Sequence, residues 1–240
     1  MIAVIVPAHN EQKLIGRCLR SILRAAQHRN VKHTAVVPVV ALDRCTDDTA
    51  AICHEHGVPT LQLDAGCVGV ARARAAAWSI AQGAQWIAST DADSEVPSDW
   101  LARQVACNAD AFCGVVRVTD WEDYGSHVRR SFARGEMVCD GHPHVHGANL
   151  GVSASAYRAA GGFPPLACGE DVALVAALEA TGHRIARLAR PRVVTSARRQ
   201  ARAVGGFSDF LKTLEARTPE PVPTVRGLLA GLSPDPEAAW

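Results

Sequence analysis

Several features that organise familiar protein classes are missing from this chain. Aromatic residues make up only 5% of it, and its eight cysteines, scattered from Cys18 to Cys168, form no C-x-x-C pair. That pattern excludes a zinc finger and a disulfide-dense secreted scaffold, and the thiols read as reduced packing groups. The longest strongly apolar stretch, Ala35 to Leu42, contains Pro38 and falls far short of the roughly twenty residues a membrane-spanning helix needs. No excess of one charge exists either: 25 basic residues face 24 acidic ones, for a formal charge of +1. A nucleic-acid binder's broad positive field is therefore absent, and no nucleic-acid partner is expected. Any anion recognition must be local. The opening run Met1 to Val6 carries no basic leader or cleavage pattern, so a cytoplasmic protein is expected. No G-x-G-x-x-G follows a strand and no P-loop occurs, which disfavours dinucleotide oxidoreductases and P-loop nucleotidases.

What is present is a 48% hydrophobic chain of 240 residues, ample for one large core. Ile2 to Val6 reads as a buried parallel strand ending at Pro7, followed by a helix whose Leu14, Ile15, Cys18, Leu19, Ile22, Leu23 and Ala26 recur at helical spacing. Asn10 stands where it could cap that helix. The unit repeats: Ala35 to Leu42 stops at Asp43, and Thr46-Asp47-Asp48-Thr49 supplies a cap and first-turn acids for a helix ending at Gly57. Further strands are predicted at Val58–Leu63, Trp86–Thr90 and Phe112–Val118, with helices at Val70–Gln82 and from Ser98. Such alternation implies an α/β fold with a mostly parallel sheet flanked by helices. Beyond residue 120 the spacing predicts helices at Ser153–Ala160 and Glu170–Thr181 and two short strands at Arg184–Leu188 and Arg192–Thr195. A proline-punctuated tail with one short helix near Val225–Leu232 closes the chain.

In parallel α/β sheets, ligands bind beyond the carboxyl ends of the strands. Three of those ends carry polar clusters here: Asn10-Glu11, Asp43 and Asp91-Ala92-Asp93. Two carboxylates one residue apart can share a hard divalent cation, with a substrate diphosphate completing the oxygen shell. A turn with solvated acids is the plainer reading of a D-x-D triplet alone.

The ordered set resembles the nucleotide-sugar glycosyltransferases of family 2, which have the GT-A fold. Pro7-Ala8-His9-Asn10-Glu11 is similar to the family's opening Pro-x-x-Asn-Glu motif, and Asp43 to Thr49 to its second-strand acidic motif. Ala73-Arg74 resembles the helix before the metal motif, and Asp91-Ala92-Asp93 stands in place of the D-x-D. Gly147-Ala148-Asn149, Gly161-Gly162-Phe163 and Gly169-Glu170-Asp171 follow as in the acceptor half. Arg44-Cys45 departs from the small pair commonest in the second motif. No Gln-x-x-Arg-Trp signature of processive synthases occurs, so a single transfer is expected.

This resemblance implies a Rossmann-like GT-A domain over residues 1–215, with a nucleotide-sugar half (1–118) and an acceptor half (119–215), then a tail over 216–240. It implies Mn²⁺ or Mg²⁺ held by Asp93 with Asp91, acting as Lewis acid on a departing nucleoside diphosphate. Pro7, Ala8, Asn10, Glu11, Asp43, Asp91 and Asn149 would bind the donor. Arg74, with Arg72 as second choice, would add positive charge. Asp171 is the expected general base on the acceptor hydroxyl, Glu170 the weaker choice, with inversion at the anomeric carbon. UDP is the favoured donor nucleotide by resemblance. First-turn acids favoured by the helix dipole are the plainer account of Glu170-Asp171. The competing functions are a catalytically silent nucleotide-binding protein and a D-x-D phosphatase; the latter expects Thr or Val where Glu95 stands.

Three features remain open between chemistry and plain structure. His142, His144 and His146 lie on one side of an extended segment, as metal or phosphate ligands or as loop histidines. Trp121 and Tyr124 are an acceptor-stacking platform or ordinary packing. Seven arginines and no carboxylate lie between Arg184 and Arg202: a grip on a diphosphate or anionic acceptor, a peripheral membrane contact, or a solvated basic face.

Overall fold

The computed structural model describes residues 1–200 and 205–217. Seven strands form one sheet: β1 (Ile2–Ala8), β2 (Val36–Asp43), β3 (Thr60–Leu63), β4 (Trp86–Ser89), β5 (Ala111–Val118), β6 (Leu150–Ser153) and β7 (Ile185–Thr195). Their order is β3-β2-β1-β4-β6-β5-β7. All neighbours pair in parallel except β6, which runs antiparallel to both β4 and β5. The eight helices among the described residues are α1 (Ile15–Ala26), α2 (Thr49–Glu55), α3 (Val68–Ala81), α4 (Trp100–Ala106), α5 (Ser126–Gly135), α6 (Ala154–Ala159), α7 (Glu170–Ala180) and α8 (Phe207–Arg217).

β1 is apolar on both faces because both are covered. Val4 and Val6 pack with Leu19 and Ile22 of α1 and with Trp100 and Leu101 of α4. Ile5, pointing the other way, packs with Ala71, Ala75 and Ala76 of α3 and with Leu174 and Leu178 of α7. Burying each such Leu or Ile side chain contributes about 1.5–3 kcal/mol. A smaller third cluster joins α5 and α8 through Val128, Phe132 and Leu211.

The alternating first half follows the expected order, with boundaries moved by a few residues. Three elements were not anticipated: β6, α5 and α8. β6 is only four residues long, too short for a period to show. The two strands expected at 184–188 and 192–195 are one strand, β7, continuous through Pro191 with a register shift against β5. The boundary expected after residue 215 falls inside α8, which continues to Arg217. The proline-rich tail with its helix at Val225–Leu232, and Arg202 of the arginine run, lie outside the described residues. Among the described residues, no helix is long and apolar enough to cross a membrane.

Candidate active site

Because every strand but β6 points the same way, the carboxyl ends of β1, β2, β4 and β7 share one sheet edge with the amino end of β6. The loops after β1 and β2 are zipped together there. Asn10, at φ +54°, accepts from the Thr46 amide at 2.8 Å, and the Glu11 amide donates to Thr49 Oγ1 at 2.8 Å. Asp47 accepts from the amides of Gln12 and Thr49. These bonds correct two capping expectations. Asn10 does not cap α1, whose first flanking residue is Leu14, and no acid lies in the first turn of α2. Pro7 and Ala8 are the last residues of β1, with Ala8 buried.

Asp43 does not present an open carboxylate. Its Oδ1 accepts from the amides of Ala65 (2.8 Å) and Gly66 (3.0 Å), and Oδ2 from Cys67 (2.9 Å). Burial pushes this carboxyl up, but the three amides and Arg44 outweigh it and hold it below its ordinary value. Asp43 therefore shapes the loop leading into α3.

The centre of the site is Arg72, 3% exposed. Its Nε meets Glu170 at 2.8 Å and its Nη2 meets Asp91 at 2.6 Å, while Nη1 reaches the Ser89 hydroxyl and the Gly147 carbonyl. Burial pulls the guanidinium's pKa down, but Asp91, Glu170 and Asp171 more than reverse it, so Arg72 stays charged. A Cβ on Gly147 would overlap this guanidinium, so a larger residue there would have to displace Arg72. Arg74, the expected cation, points elsewhere: it is exposed and lines a hollow with Thr60, Leu63 and Trp78 beside β3. Arg72 shares the buried face of α3 with Ala75, Ala76 and Ser79.

Asp93 is held from the opposite side. Arg198, in the loop after β7, meets Asp93 at 2.9 Å and Glu11 at 2.7 Å. Burial, with the charges of Asp91 and Glu11, still pushes the Asp93 carboxyl up to about 7 against the lowering effect of Arg198. Glu170 is buried against Arg72 and is an anchor rather than an available base. Its neighbour Asp171 is partly exposed at the start of α7, where Oδ2 accepts from the Gly147 amide at 2.6 Å and Oδ1 from its neighbour Val172 at 2.8 Å. Asn149 is wholly buried and fully engaged, accepting from Trp100 Nε1 and donating to the carbonyls of Val115 and Pro191, all at 2.9 Å. Its side chain, expected to bind the donor, braces β5, β7 and α4.

The other open features divide. Tyr124 is buried under Arg199, whose guanidinium lies 4.1 Å from the ring centre, and Trp121 packs edge-on against Phe132. Both serve packing. Four of the described arginines of the run are engaged separately: Arg184 bonds the Asn108 carbonyl, Arg187 pairs with Glu179, Arg198 enters the site, and Arg199 pairs with Asp123 and Glu215. The three histidines stack in sequence, with ring centres 5.7 and 5.9 Å apart. His142 bonds the Leu188 carbonyl, whereas His144 and His146 converge on Glu136, a residue the sequence did not single out. Burial, followed by the charges of His144 and His142, pushes the His146 pKa down to about 4.

Asp91 and Asp93 suit a hard divalent cation. Both are oxygen donors at one strand end, and burial makes negative charge on Asp93 costly, a cost a cation would relieve. The residues present fit such an ion.

The model of the family described as "Glycosyl transferase family 2" matches residues 3–159. A search of curated proteins gives no match. Among solved structures, S. aureus TarS 1-349 in complex with UDP-GlcNAc aligns with TM-score 0.65 and 17% identity, covering 86% of this chain and 61% of that one. The mannosyltransferase PcManGT from Pyrobaculum calidifontis in complex with GDP-Man and Mn²⁺ aligns with TM-score 0.62 and 21% identity, covering 83% and 58%. Glucosyl-3-phosphoglycerate synthase from Mycobacterium tuberculosis in complex with phosphoglyceric acid aligns with TM-score 0.57 and 17% identity, covering 84% and 72%. The chain thus spans about three fifths of the first two of these structures. At such identities the likeness establishes the GT-A fold.

Proposed function

We propose that this chain, which belongs to glycosyl transferase family 2, moves one sugar from a nucleoside diphosphate sugar to a hydroxyl acceptor with inversion at the anomeric carbon. The observation that carries this reading is a two-residue link between donor and acceptor sides. Arg72 holds Asp91 and the Gly147 carbonyl, and the Gly147 amide holds Asp171. A carboxylate suited to a diphosphate's metal and a carboxylate suited to a base are thereby kept in one frame.

In this reading Asp171 takes the acceptor's hydroxyl proton as the acceptor oxygen bonds to the anomeric carbon. The bond from that carbon to the diphosphate oxygen breaks, and its electron pair leaves with the nucleotide. The amides that Asp171 accepts from Gly147 and Val172 fix the direction of its remaining lone pairs. Arg72 orients Asp91, and Asp93 completes the pair of carboxylates. Mn²⁺ or Mg²⁺ bound there would supply Lewis-acid stabilisation of the departing diphosphate. Asp43, through the loop at 65–67, walls the nucleoside side, with Asn10 and Glu11 closing the loops beside it. UDP is the favoured nucleotide, supported by the UDP-GlcNAc in TarS; the GDP-Man in PcManGT makes GDP the competing arm.

Calorimetry with UDP and GDP tests the donor half: binding should require Mn²⁺ or Mg²⁺, and Asp93→Ala should remove most of that dependence. Equal affinity in chelator would reject the metal assignment. Once an acceptor is found, Asp171→Asn should keep donor binding and lose about 10²–10⁴-fold in turnover. Near-normal turnover would remove Asp171 as base.

A further inference from the structure

A second group of donors converges in the segment between α5 and the turn at Gly147, beside the donor site. Single ligand atoms of Glu136, His144 and His146 lie within 4.8 Å of one another. Glu136 Oε2 and His146 Nε2 are both buried with no hydrogen-bond partner, an arrangement that costs stability if nothing joins them. One carboxylate and two imidazoles form a donor set that selects borderline transition ions such as Zn²⁺ or Co²⁺ over Mg²⁺ and Ca²⁺.

We propose that Glu136, His144 and His146 form a binding site for one transition-metal ion of the zinc class, separate from the Asp91–Asp93 pair. Metal–ligand distances of about 2.0–2.2 Å would draw the three donors together by a small adjustment of a loop, not of the sheet. His144 Nε2 accepts from the Met137 amide at 3.0 Å, a bond that ligation through that nitrogen would replace. The ion would tie the end of α5 to the residue immediately before Gly147, whose amide and carbonyl hold Asp171 and Arg72. It would thus stiffen the acceptor side without taking part in the transfer. An ordinary Glu136–histidine charge pair is the competing account, and it needs no metal.

The site is tested without an activity assay. Chelator-treated full-length protein should bind one equivalent of Co²⁺ with the visible absorption of a four- or five-coordinate nitrogen-containing site. The Asp91→Asn/Asp93→Asn variant should keep that spectrum, and the His144→Ala/His146→Ala variant should lose it. X-ray absorption on the Zn²⁺-loaded wild-type protein should resolve two imidazoles in the first shell, which decides the question even where a variant fails to fold. An all-oxygen shell, no uptake of Co²⁺ or Zn²⁺, or a spectrum unchanged in the histidine variant would each overturn the site. Loss of the spectrum in the aspartate variant, with its fold intact, would show one metal shared with Asp91–Asp93 and overturn the separation.

Discussion

The two carboxylates of Asp91-Ala92-Asp93 are two residues apart, yet they are held by different kinds of structure. Asp91 is gripped by Arg72, which stands on a core helix and is fixed by Glu170, Ser89 and the Gly147 carbonyl as well. Asp93 is gripped by Arg198, 20% exposed in its side chain, in a loop beyond the last strand. The first clamp belongs to the scaffold, since releasing it would leave Glu170 buried and uncompensated. The second, on a more exposed loop, can be exchanged for another cation that also compensates Glu11. A site that must bind and release a polyanionic product has use for one fixed and one replaceable partner.

The largest expected effect breaks the fixed clamp. Arg72→Met should lower stability by about 3–5 kcal/mol in urea titration, because it leaves a buried charge without a partner. Adding Glu170→Leu should recover much of that loss, since a well-packed apolar pair can replace a buried ion pair at little cost. A loss under about 1 kcal/mol for the single change would show that the two clamps are alike. Arg198→Gln is next: truncation should cost about 1–3 kcal/mol, the penalty for under-satisfied buried polar groups at Asp93 and Glu11. Calorimetry should also detect tighter Mn²⁺ binding, because a competing positive charge is gone. Unchanged or weaker binding would make Arg198 part of the fixed frame.

The smallest effect lies at the neighbouring strand end, where Asp43 offers a third comparison, a carboxylate held by amides alone. Asp43→Asn should cost about 1–2 kcal/mol at pH 7, since an amide accepts fewer of the three N–H bonds. The folded-state pKa of Asp43 is depressed, so its contribution is fully present above the unfolded value near 3.8 and fades as pH falls through the lower folded value. Denaturant titrations should therefore show the gap between wild type and variant closing from about pH 4 downward. A gap that widens in acid would contradict the amide-held carboxylate.

Residues 1–118 were legible because their strands and helices are long enough for a period to appear and end in recognisable polar clusters. In the acceptor half α6, α7 and both ends of β7 were legible too, but β6, α5 and α8 were not. β6 is four residues long, and α5 and α8 bury only a narrow apolar stripe against each other. Side-chain roles were less legible than elements. Asn149, in a motif that suggested donor binding, is a buried brace, and Glu136, in no motif, completes a cluster with His144 and His146.

By itself the sequence determined the alternation, the sheet's direction and the sharing of one edge by Asn10, Asp43 and Asp91, since these follow from local periodicity and from right-handed crossovers between parallel strands. Only the tertiary structure decided which cation meets which carboxylate. Arg72 and Arg74 differ by two positions on α3, about 200° around the helix, and composition does not distinguish them. What separates them is the packing of α3 against β1, β4 and α7, which turns Arg72 toward Asp91 and Glu170 and leaves Arg74 beside β3. Arg198 lies more than one hundred residues from Asp93 in sequence, and only the return of β7 to the same sheet edge brings the two charges together.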